Sequence, residues 1–229
     1  PEGMRVSTFY FAASDNNYLV PLNLVIPQAE GIARATLERL IAGPSPGWEI
    51  RYGLQAVLPS ATRVLGLTIK DGHALVDFSK ELLAYEPEKG RMVIDAIVYT
   101  LTQFPTVERV TLMIEGKIPE ELPGGTPGGE EWSRERGINL EVKDSVEDFT
   151  STTKLTLYFC LPAGERTFYL PVTRVIPAVG EEELISVALQ ELLAGPRRGS
   201  GLFSDLPPEL GIKEIIRNEQ GLVVNFNNA

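Results

Sequence analysis

The chain has 229 residues, of which 43% are hydrophobic and 23% charged, a balance that suits one large or two ordinary globular domains and excludes wholesale disorder. Twenty-one basic against 31 acidic residues give a formal charge of −10, which argues against the clustered basic footprint of a nucleic-acid binder. One histidine, His73, and one cysteine, Cys160, exclude a His/Cys zinc site within the chain, an intrachain disulfide, and more than one histidine-based catalytic group. No stretch reaches the ~20 apolar residues of a membrane span. The opening Pro1-Glu2-Gly3 without an initiator Met reads as an excised piece or a processed form, from which an upstream signal peptide or lipid anchor could have been removed.

Internal similarity organises the chain. Thr8–Pro27 realigns on Thr156–Pro177, with two extra residues of the second copy in the polar loop between strands. Ala35–Pro44 matches Val187–Pro196, and Val57–Phe78 matches Asp205–Phe226. The blocks keep their order, so the chain is a tandem duplication. Residues 1–117 form the first repeat and 152–229 the second. Between them, 118–151 carries nine acidic and three basic residues and the Pro123–Gly129 run, and reads as an acidic, Gly/Pro-rich linker. Its tail, 138–142, alternates like a short strand that could return to the first domain.

In chain order, Thr8–Phe11 and Leu155–Cys160 are aromatic and β-branched runs that predict buried strands. Tyr18–Pro21 and Tyr169–Pro171 predict a returning strand, placed by its proline at an edge or a strand end. Ala33, Leu37, Leu40 and Ile41 share one helical face, as do Leu184, Ile185, Ala188, Leu192 and Leu193 in the second copy. Both helices stop at Gly-Pro, Gly43-Pro44 and Gly195-Pro196. Leu37, Leu40, Leu192 and Leu193 are expected to be buried against the sheet of their own repeat. A hairpin follows, Arg63–Lys70 to Ala74–Phe78 through Asp71-Gly72, matched by Lys213–Arg217 and Leu222–Phe226 through a turn at Glu219-Gln220-Gly221. Only the first copy then has a helix, about Gly90–Phe104 with Val93, Ile97, Leu101 and Phe104 inward, and a last strand at Val110–Glu115. The second copy reaches Ala229 without them, so its sheet should present an apolar face or an unpaired edge. The fold class is α/β in the α+β two-layer sense: duplicated small mixed sheets with helices on one face.

These motifs together resemble the GerMN family, a module found in tandem in lipoproteins of sporulation and spore germination. The resemblance rests on Leu157-Tyr158-Phe159, Leu19-Val20-Pro21 and Val25-Ile26-Pro27, on LERLIAGP (Leu37–Pro44), on KDGHALVDFSKEL (Lys70–Leu82), and on the run from Ile94 to Lys117. It covers nearly all of residues 6–117 and 154–226. It implies a fold like the ring-building motifs of secretion-type assemblies and an extracytoplasmic protein on an N-terminal lipid anchor, although this sequence contains no lipobox cysteine. It further implies scaffolding in the channel that joins mother cell and forespore, with other proteins of that envelope complex, and self-association, as partners.

Candidate chemistry is sparse, and no catalytic, cofactor or metal site is expected. His73 lies at the hairpin turn, near Asp71 and Asp77 in sequence, and reads as a solvent-exposed turn residue, since a general base needs an orienting acid and a nucleophile beside it. Asp77 becomes Asn225 in the second copy, so no carboxylate pair is repeated. Glu181-Glu182-Glu183 precede a helix, where acids complement the macrodipole. Cys160 reads as a small apolar core residue. Gly124, Gly125, Gly128 and Gly129 lack the lysine and the strand–turn–helix setting of a phosphate loop. The leading function is therefore a non-catalytic structural or assembly protein of sporulation and germination. The alternatives are an extracytoplasmic binding module for peptidoglycan or a small ligand and, with no catalytic pair to support it, a cell-wall hydrolase.

Overall fold

The computed structural model describes residues 3–13, 18–28, 30–218 and 221–227. The chain forms two compact units, one of residues 1–138 with 163–165 and one of residues 139–162 with 166–229. Both have an α+β build of small sheets and helices. No helix among the described residues is long and apolar enough to cross a membrane.

In the first unit, β1 (Met4–Ala13) pairs antiparallel with β2 (Leu19–Pro27), placing Phe9 opposite Leu22 and Phe11 opposite Val20. Alternation sends Phe9, Phe11 and Ala13 into the core while Val6 stays exposed. The loop residues 14–17 lie outside the described residues. Helix α1 (Ile32–Ile41) buries Ala33, Leu37, Leu40 and Ile41, as its periodicity requires. It ends at Gly43, whose φ of 77° favours glycine and where a Cβ would stand 2.9 Å from the Ala56 Cβ. A short helix α2 (Trp48–Tyr52) leads to β3 (Leu54–Gln55), which pairs with the end of β1 and gives the order β2-β1-β3.

The second sheet of this unit holds β4 (Val64–Lys70), β5 (His73–Phe78) and β6 (Arg109–Ile114) in that order. β4 and β5 form the predicted hairpin, and its turn residues Asp71 and Gly72 both have positive φ, 49° and 76°. β5 and β6 are parallel, so a crossover must join them, and helix α3 (Gly90–Leu101) supplies it. The sequence implied an amphipathic helix, but every residue of α3 from Val93 to Leu101 is buried. The reason is that it is covered on both sides: it packs on β1, α1 and β6, and residues 132–138 close over its other flank.

That cover corrects the reading of 118–151 as a solvated linker. After a small hairpin, β7 (Glu121–Leu122) with β8 (Thr126–Pro127), Trp132 exchanges both backbone hydrogen bonds with Val110, at 2.8 and 2.9 Å, and caps the outer edge of β6. Arg134 reaches the Tyr99 carbonyl and the Thr102 hydroxyl. The Arg136 Nε lies 2.5 Å from an oxygen of Asp95, a helix carboxylate with 2% exposure. Trp132 and Ile138 are buried, and the segment's arginines engage α3. The tail does not return to the first unit either. β9 (Glu141–Val142) adds parallel to the sheet of the second unit.

The second unit repeats the leading elements. β10 (Thr152–Ala163) and β11 (Arg166–Pro177) form the hairpin, and the sheet order is β10-β11-β9. β11 is thus internal despite Pro171, because β9 engages it only at Arg174 and Val175, beyond the proline. Helix α4 (Leu184–Leu193) follows. Cys160 bridges Phe203 where β1 meets β3 in the first unit, and β12 (Ile212–Asn218) pairs with β13 (Gly221–Phe226). The predicted turn residues Glu219 and Gln220 fall outside the described residues.

The expectation of buried leucines holds in one copy and not in the other. Leu37 and Leu40 have 0% exposure, whereas Leu192 and Leu193 are only half-buried. α1 packs against α3; among the described residues of the second unit no helix stands in that place. Leu40→Ala should therefore cost ~2–5 kcal/mol in denaturant unfolding. Leu192→Ala should cost less than about 2 kcal/mol, because a half-exposed side chain loses only part of its transfer energy.

Candidate functional site

The groups with chemical potential are dispersed, and each is occupied locally. His73 begins β5, half-buried rather than free in the turn, with Nε2 2.9 Å from the Thr111 hydroxyl, which in turn donates to the Glu130 carbonyl at 3.1 Å. Asp77 accepts the Gly116 N–H at 2.9 Å and so fixes the turn after β6. Four residue steps along the extended strand separate it from His73, roughly 13 Å, too far for an acid–base pair. Glu181, Glu182 and Glu183 are exposed ahead of α4. Among the described residues no group of three or more His, Cys, Asp or Glu side chains stands close enough to hold a metal ion. Gly124, Gly125 and Gly129 adopt positive φ around the β7–β8 hairpin, as turn glycines do.

Cys160 is 2% exposed on β10, and its backbone exchanges two 2.9 Å hydrogen bonds with Phe203. Burial, and then the Asp205 carboxylate beside it, push the thiol above its ordinary value. Tyr169 donates its hydroxyl to the same carboxylate at 2.5 Å, and that bond raises the phenol as well. The sequence reading missed this Cys–Asp–Tyr grouping because Asp205 lies 45 positions from Cys160, in a loop that only the Phe203 bridge brings back. Its electrostatics keep the thiol protonated, which is the reverse of what a nucleophile needs.

The densest polar cluster was also absent from the sequence reading. Arg174, 4% exposed on β11, gives its Nη1 to the Glu191 carbonyl (2.9 Å) and carboxylate (3.0 Å). Its Nη2 reaches Glu141 (2.8 Å) and the Gly195 carbonyl (2.7 Å), and its Nε also faces Glu141 at 3.2 Å. Lys143 completes the group, 2.5 Å from Glu191. All five guanidinium donors have partners within the protein, so the cluster works as a staple that joins β9, β11 and the end of α4. A cavity of about 220 Å³ beside it is lined by these same residues.

Comparison of the copies explains why the arginine is there. Gly195 of the second unit corresponds to Gly43 of the first, and in both an arginine satisfies this carbonyl at the helix end. In the first unit it is Arg39, from the helix itself. The position matching Arg39 is Glu191, and the one matching Leu24 is Arg174. The basic partner has moved from helix to strand, and the helix carries its counter-charge.

Sequence and structure comparisons agree on kinship. The chain matches the Germane family, described as sporulation and spore germination, over residues 8–120 and 156–229. It is 36% identical to the spore germination protein GerM of Bacillus subtilis over 216 residues, which is 93% of this chain and 58% of that protein. The chain therefore spans less than two thirds of the length of this relative. The solved tandem GerMN domains of the Bacillus subtilis sporulation protein GerM are similar at a TM-score of 0.84 and 33% identity, covering 97% of this chain and 79% of that one. The first GerMN domain of that protein alone gives 0.51 at 36% identity, covering 57% and 98%.

Two outcomes follow from the geometry. Arg174→Leu takes the guanidinium away from the half-buried Glu141 and leaves the buried Glu191 to Lys143, and should destabilise the second unit by about 3 kcal/mol. Arg174→Leu with Glu191→Arg restores the first unit's arrangement and should recover a measurable part of that loss in urea melts. Cys160 should resist iodoacetamide in the folded protein and react at the rate of a free thiol only after denaturation, as followed by mass spectrometry.

Proposed function

The chain belongs to the Germane (GerMN) family of sporulation and spore germination, and we propose that it serves there as a non-catalytic scaffolding module. In this reading it is an extracytoplasmic protein of a lipid-anchored kind, it builds an envelope-spanning complex in the manner of ring-building motifs, and its partners are the other proteins of that complex.

The observation that supports the reading is what the two copies hold in common. The residues repeated between them are core and turn residues: the strand aromatics, the Leu-rich helix, the Gly-Pro stops and the hairpin. The polar groups with chemical potential differ from copy to copy, as Asp77 against Asn225 and Leu24 against Arg174 illustrate. Duplication of a fold without duplication of a reactive group suits a protein whose product is surface and geometry.

The test replaces the matched region of GerM in Bacillus subtilis with this chain, in a strain lacking the native gene. Restored formation of heat-resistant spores, with co-purification of envelope proteins from sporulating cells, is the expected result. A stable, exported chimera that restores nothing would overturn the role. Tight binding to purified peptidoglycan sacculi without any protein partner would replace scaffolding with a glycan-binding module.

A further inference from the structure

We draw no further inference here: the strongest candidate, the outer edge of β2 at Leu24 and Val25, is open among the described residues where β9 covers the matching edge of β11, and nothing in the structure shows what covers it.

Discussion

The first unit depends on one constraint: two parallel neighbours, β5 and β6, cannot be joined by a tight turn, so the chain must leave the sheet and return through a helix. That helix, α3, then settles the rest of the unit. Its Tyr99 covers Tyr10 of the other sheet. Gln103, just past its end, exchanges two 2.8 Å hydrogen bonds with the N–H and carbonyl of Thr8, occupying the side of β1 that β2 leaves free. Its inner face seals α1. A helix with so much of its surface in use needs cover on its remaining flank, and residues 132–138 provide it.

The acidic segment is the clearest case of composition misdirecting. Its excess of carboxylates and its glycines suggest solvated chain, yet four of its residues decide its fate. Trp132 and Ile138 remove apolar surface from water, and Arg134 and Arg136 reach groups of the helix. Asp95 is the telling partner. Burial raises its carboxyl above the ordinary value while Arg136 and then Arg91 pull the other way, so the segment and the helix's own Arg91 together offset the cost of a carboxylate in the middle of α3.

The two copies also show how one backbone requirement survives a change of side chains. A helix that ends on glycine leaves a carbonyl that needs a donor. In the first copy the helix supplies its own arginine. In the second, β11 supplies it and recruits Glu141, so the segment entering the unit becomes a third strand of its sheet. A substitution on the helix, a substitution on the strand and an added strand thereby form a single adjustment.

Much of the fold was legible from residues alone, because strand alternation, helical spacing, Gly-Pro stops and the Asp71-Gly72 turn are local and appear twice. The tandem order, the hairpins, the buried face of α1 and the two small α+β layers follow from that local information. Of chemistry the residues alone offered only a sparse inventory: one histidine, one cysteine and no repeated carboxylate pair. What sequence could not decide was which surfaces meet. Leu40 and Leu192 hold matching positions ahead of the same Ala-Gly-Pro stop, yet one is sealed and the other half-open, because burial depends on a helix fifty residues away from Leu40. Arg174, Glu191 and Glu141 are unremarkable in three separate segments and become a staple only when β9 docks on β11. Periodicity reports the face a residue shows, and only tertiary packing supplies what lies against it.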